Sequence, residues 1–347
     1  MATQPPKTLE SSHDPSCTED QPRKRRAEDS LSPSSTKRRR VSNSSSVPLW
    51  RQPHPLSVNG LLRKHCRTRL FVHPLRWTAQ HLELLGYQFF RRSKSELRDH
   101  SQHPHQNSLQ LPSEAETRQT IERLRSRSNV KTWIMCQFLT GCNATYAIPP
   151  DDRSRLLFDF KRKTIARLPT NGVYSHHSNM ASFAYLDLNS VVSVRDKAIR
   201  VTVSRILDGP VRRIKQVQRR RLQPSIEAED PYIVAVLIAL AQGLQRQHRE
   251  QSVDGPDECL ESAPTKLDPA ALPQQTPADF EVRLLALAKD SRHLYFYKAK
   301  IPSTSLDMFN EPSQYHSSSV VEVTYHSVRL EVSETSVQNI ESIIRSL

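Results

Sequence analysis

Two carboxylates and an amine, Asp151, Asp159 and Lys161, come closest in this chain to a hydrolytic centre. They stand in "PDDRSRLLFDFK", where Asp159-x-Lys161 closes an apolar run. On a strand, residues i and i+2 share a face, so Asp159 and Lys161 are expected to point together. Paired carboxylates can hold a divalent metal that activates water, while a lysine orients the nucleophile. The plainer reading is a strand carrying an exposed Asp and Lys on its solvent side. The frequency of Asp-x-Lys by chance favours that second reading.

This pattern resembles the PD-(D/E)XK nuclease motif. The resemblance implies metal-dependent phosphodiester cleavage, with Asp151 and Asp159 on the metal and Lys161 beside the nucleophile. Glu116 or Glu122 of an upstream helix would then supply the further acid. Seven residues separate Asp151 from Asp159, a shorter gap than is usual in that family. Outside this alternative no metal or other cofactor is expected. Cys136 and Cys142, followed by His176-His177, miss zinc spacing, and His100, His103 and His105 read as loop residues. No phosphate-cradling glycine loop and no nucleophile elbow is present, and seven glycines leave little room for one.

A second kind of chemistry, contact with polyanions, rests on arginine. The net charge is +14, and 36 of the 50 basic residues are arginines. Residues 1–50 carry a net +3, residues 51–250 a net +17 and residues 251–347 a net −6. The densest basic segment is "VRRIKQVQRRRLQ", Val211 to Gln223. If it is helical, Arg212, Lys215 and Arg219 line one side, while Arg213, Arg220 and Arg221 cover much of the rest. "LLRKHCRTR", residues 61–69, is a second cluster. Such surfaces meet phosphates without reading bases. A charged linker helix is the competing reading of Val211–Gln223.

The amino-terminal segment has its own logic. Arg23-Lys24-Arg25-Arg26 and Lys37-Arg38-Arg39-Arg40 are separated by ten residues. Two cationic clusters on an extended tether suit two acidic grooves of a nuclear import receptor. Ser32, before Pro33, and Ser42, after "RRV", are candidate phosphosites whose charge would offset the neighbouring cations. Serine, proline and charge fill residues 1–48, which are read as a disordered tail.

The elements that must position these residues follow from hydrophobic period and turn signals. A helix is expected from Thr78 to Phe90, and another after the capping box of Ser113 and Glu116. "KTWIMCQFLTG" reads as a buried strand and "RLLFDFK" as another. "SVVSVRDKAIRVTVSRIL" reads as a hairpin turning at Arg195-Asp196-Lys197, followed by a turn at Asp208-Gly209-Pro210. Asp230 and Pro231 open a helix that is apolar all round and therefore buried. "FEVRLLALAKDSRHLYFYKAKI" gives two strands about Asp290-Ser291-Arg292. A short helix, a strand and a final helix capped by Thr335 follow. On that last helix Val337, Ile340, Ile344 and Leu347 share a face.

The expected class is α+β: mixed or antiparallel strands packed around a buried apolar helix, with the disordered tail ahead. The expected organisation is a basic region over 49–250, a disordered insertion or linker over 251–279, and a ββαβα segment over 280–347 packed on helix 231–248. The last third resembles uncharacterised proteins of filamentous fungi with no known activity, which implies only that it folds as one unit. The five scattered cysteines suggest free thiols in a reducing compartment. The longest apolar run, Tyr232 to Ala241, is about half the roughly 20 residues of a membrane span, and no secretory signal is read. The functional expectation is a nuclear, non-enzymatic protein that contacts nucleic acid or chromatin through its arginine-rich surface. A metal-dependent nuclease and a nuclear protein–protein interaction module are the alternatives.

Overall fold

The computed structural model describes residues 53–93, 111–126, 130–148, 155–175, 181–200, 209–253, 279–317 and 319–347. The chain divides at Ser46 and Val47 into two units, and every described residue belongs to the second. Its frame is a seven-stranded mixed sheet, consistent with the α+β class. The strands are β1 (Tyr87–Arg91), β2 (Thr145–Ile148), β5 (Gly172–Ser175), β6 (Ala181–Asp187), β7 (Asp279–Leu287), β8 (His293–Pro302) and β9 (Val321–Arg329). They lie in the order β1-β9-β8-β7-β6-β5-β2, with β3 (Arg155–Phe160) and β4 (Lys163–Pro169) forming a separate hairpin. The β1–β9 and β6–β7 pairs are parallel and the rest antiparallel. Because β6 pairs with β7, Phe183 opposite Arg283, the stretches on either side of residues 254–278 share one sheet.

Period-two alternation gives the sheet two apolar faces. On β7, Val282, Leu284 and Ala286 belong to one cluster and Leu285 and Leu287 to the other. The second face is covered by α3 (Glu114–Arg125), α4 (Lys131–Gly141) and α9 (Glu334–Ser346). The first face carries α7 (Pro231–Val253), with the β3–β4 hairpin packed against it. Around this layer lie α1 (Val58–Lys64), α2 (Ala79–Leu85) and α8 (Ser303–Asn310). Caught between sheet and hairpin, α7 is enclosed from Tyr232 to Ala241. That enclosure accounts for the all-round apolar sequence of Tyr232–Ala241: at about 1.5–3 kcal/mol per buried large side chain, no turn of that stretch favours water.

Several local expectations are corrected. "KTWIMCQFLTG" is helix α4, not a strand, with Ile134, Met135, Cys136 and Leu139 buried. A short apolar run has no period that separates the two states, and the sheet's second face needed a helical cover. "LNSVVSVRDKAIR" is helix α5 (Leu188–Arg200), not a hairpin arm; Arg195, read as a turn residue, is buried within it. Residues 201–208 lie outside the described residues. Gly209 and Pro210 begin a helix, α6 (Gly209–Leu222), which suits a proline in the first turn. The helix from Thr78 stops at Leu85, because Gly86 takes a left-handed φ of 72°, and Tyr87–Arg91 continues as strand β1. The last helix is capped by Ser333, whose Oγ accepts from the Ser336 N–H at 3.3 Å, not by Thr335.

Candidate functional site

Helix α6 carries all six nominated phosphate contacts. Arg213, Arg220 and Arg221 are exposed and Lys215 is half-buried, while the Arg212 side chain lies outside the described residues. Arg219 is tethered to Asp196 of α5 at 2.5 Å. Among the described residues no carboxylate pairs with Arg213, Lys215, Arg220 or Arg221. At 3.6 residues per turn, Lys215, Arg219 and Leu222 fall on the edge that leans against α5. Val192, Ile199, Leu222 and Pro224 line the joint. The other apolar residues of α6 point elsewhere: Val211, Ile214 and Val217 are 40%, 59% and 48% exposed. The helix therefore contributes little to the core and presents its cations to solvent.

Beneath α6 lies a buried joint that sequence reading missed. Arg195 donates from both terminal nitrogens to Asp230, at 2.5 and 2.6 Å, and from Nε to the Leu75 carbonyl at 2.8 Å. Asp230 also accepts the Tyr232 N–H at 2.9 Å and so caps α7. One guanidinium thereby ties α5, the 74–77 turn and the start of α7 together. The signal that could have revealed it is the spacing of Leu188, Val191 and Arg195 at helical period, which sets Arg195 on the inner face of α5.

The second basic cluster has a different setting. Ser57 caps α1 by accepting the Gly60 N–H, and Val58, Leu61 and Leu62 turn inward on one side of that helix. Arg63 and Lys64 close α1, and Arg67 and Arg69 lead into Leu70 and Phe71; all four cations are exposed. The inward side chains, with Trp77, Phe158, Phe160 and Phe309, line an open cavity of about 70 Å³. His81 lies in its wall with both ring nitrogens engaged. Nδ1 accepts the Thr78 N–H at 3.0 Å, which leaves the proton on Nε2 to be donated to the Leu70 carbonyl at 3.2 Å. Burial holds the His81 pKa below its ordinary value, partly opposed by these hydrogen bonds to Leu70 and Thr78.

The hydrolytic candidates are not assembled. Lys161 does not lie on β3 with Asp159. It and Arg162 form the two-residue turn to β4, with φ of 56° and 59°, as tight hairpins require. The Lys161 N–H donates to the Phe309 carbonyl at 2.8 Å. Asp159 accepts from the Thr164 hydroxyl at 2.7 Å and is paired with Arg246. Its backbone is clamped by Gln242, which accepts the Asp159 N–H at 2.9 Å and donates to its carbonyl at 3.0 Å. Glu116 spends its carboxylate on the capping box, accepting the Ser113 N–H at 2.9 Å, which lowers its pKa. Helix α3, which bears Glu116 and Glu122, covers the sheet face opposite the hairpin. These residues do not fit a divalent metal, and Asp151 lies outside the described residues. Among the described residues no three His, Cys, Asp or Glu side chains gather to hold one.

The import clusters Arg23–Arg26 and Lys37–Arg40, Ser32, Ser42 and the histidines His100, His103, His105, His176 and His177 lie outside the described residues. Cys66, Cys136 and Cys142 are free thiols; Cys66 is exposed, and burial pushes the Cys142 thiol up to about 12. Among the described residues no helix is long and apolar enough to cross a membrane. No protein-family model, curated protein or solved structure matches the chain.

Proposed function

We propose a nuclear, non-enzymatic protein, delivered by an import receptor through Arg23–Arg26 and Lys37–Arg40, that contacts nucleic acid or chromatin through α6. The observation that carries the reading is the setting of this helix. It holds six cations and no acid over fourteen residues and leans on the body by one edge. Arg213, Arg220 and Arg221 are exposed, with no carboxylate among the described residues to neutralise them. A guanidinium offers forked donors that match phosphate oxygens, and a row of them follows a backbone without reading bases. Packing explains neither this charge density nor its exposure, and a polyanion explains both.

The test is binding of the full chain to labelled duplex DNA and single-stranded RNA across a salt series, with and without magnesium. Neutralising several phosphates makes log affinity fall steeply with log salt, by about 0.9 per phosphate on duplex DNA. The R213A/R220A/R221A variant should flatten that slope by roughly 2–3. An unchanged slope in the variant, or no binding at low salt, removes the phosphate-contact reading. Cleavage products appearing only with magnesium would replace it with the nuclease alternative.

A further inference from the structure

We propose that the apolar cavity between α1, α2 and the β3–β4 hairpin seats the apolar side chains of an acidic amphipathic helix from a partner protein. Three observations carry this, and none depends on α6. The first is the lining. It is apolar apart from His81, both of whose nitrogens are already satisfied within the chain. No lining side chain remains to orient a polar metabolite, so an occupant gains chiefly by burying hydrocarbon.

The second is the rim. Phe71 and Ile165 line the cavity yet are 64% and 44% exposed. Apolar surface therefore continues outward from the mouth, and a molecule confined to the cavity would leave it wet. A helix laid across the mouth, with anchors at i, i+3 or i+4 and i+7, would cover both.

The third is charge. Five exposed cations stand on the lining elements or next to lining residues, Arg63, Lys64, Arg69, Lys161 and Lys163, and a sixth, Arg67, lies in the turn that joins α1 to Leu70. The Lys161 Nζ is 5.8 Å from the ring centroid of Phe160, a lining residue. Acids on the same elements are mostly spoken for: Asp159 pairs with Arg246, Asp307 with Arg249 and Glu311 with Arg162, leaving Glu83. Residues 53–82 contain no acid at all. An apolar mouth inside an uncompensated cationic border selects a ligand with an apolar stripe and acidic flanks. A second copy of this chain docked face to face would set the same cations against one another and does not meet that description.

The probe is a fluorescein-labelled peptide of about 15 residues, with leucine and phenylalanine along one helical face and glutamate elsewhere. Anisotropy is read with the full chain, and alkylation of the exposed Cys66 by mass spectrometry serves as a footprint. Saturable binding with Cys66 protected is expected. Affinity should drop roughly tenfold or more in F71S/I165T, whose sites are exposed enough to leave the fold intact, and likewise in R67E/R69E. Peptides with the anchors changed to alanine, or glutamate changed to glutamine, should bind comparably weakly. Equal binding by the alanine peptide would reduce the surface to a charge patch and overturn the proposal. So would binding of palmitate or phosphatidylserine vesicles without binding of the peptide. F71S/I165T leaves the DNA salt slope unchanged, so failure here and failure of the α6 reading are separate results.

Discussion

The two arginine-rich surfaces look alike in composition and differ in what lies between their charges. On α6 the cations surround a helix that leans on the body by one edge, with Val211, Ile214 and Val217 open to solvent beside them. Between Arg63 and Arg69 the cations border a depression floored by Trp77, Phe158 and Phe160, which belong to the main core. A repeating phosphate backbone suits the first, because a convex charged rod asks only for spaced negative charge. The second asks for hydrocarbon as well as negative charge. Net charge alone assigns both surfaces to nucleic acid; the neighbouring apolar side chains separate them.

One residue joins the two, and its removal should have the largest effect. Arg195 fixes α5, on which α6 is anchored through Asp196, and holds the Leu75 carbonyl in the turn before Trp77. Arg195→Ala leaves Asp230 buried without its partner, and unfolding in denaturant should show a loss of about 3–5 kcal/mol. Arg195→Lys should recover little, since one ammonium cannot make a forked bidentate pair. A loss below about 1 kcal/mol would mean that the two surfaces rest on independent supports.

Gln242→Ala sharpens the contrast instead. It strips the N–H and carbonyl of Asp159 of their partners and loosens the hairpin that walls the cavity, at about 1–3 kcal/mol. Peptide affinity should weaken while the salt slope on DNA stays as it was. A smaller effect is expected from pH. His81 and His73 both have pKa values lowered chiefly by burial, with Arg76 and Arg155 adding to the shift at His73. The unfolded chain therefore takes up these protons more readily. Their contribution is complete above the ordinary histidine value of 6.5 and is lost as pH falls through the depressed folded values. His81→Gln should shrink this acid sensitivity in thermal melts between neutral and mildly acidic buffers. Smallest of all is the effect of R213A/R220A/R221A on stability, within about 0.5 kcal/mol per site. A larger loss would show these side chains supporting the fold, contrary to their exposure.

The legible parts of the molecule were those whose local signals agree with their surroundings. Asp230-Pro231 before an apolar run marked α7; a run closed at Lys161 marked β3; Ser113 with Glu116 marked α3. The density of charge over Val211–Gln223 was readable, its helical state was left open against a linker, and its apolar stripe was there to read at positions 211, 214 and 217. The parts misread were α4 and α5, where β-branched and aromatic residues suggested strands. Lys131–Gly141 and Leu188–Arg200 are helices because each lies flat on apolar surface already built, one on the sheet's second face and the other against the 74–77 turn and β6.

Local pattern therefore set the class of the fold, the buried character of α7 and the position of the charge, because these depend on residue type and on spacing within one or two turns. Tertiary packing alone decided that Arg195 joins Asp230 to the Leu75 carbonyl, and that Asp159 is committed to Arg246. It also decided that Leu61, Leu62, Leu70 and Phe71, which flank the second basic cluster, line a cavity with Phe158 and Phe160. Each depends on a partner dozens of residues away, brought within hydrogen-bond reach when two apolar faces close on one sheet. Short-range spacing carries no record of such a meeting.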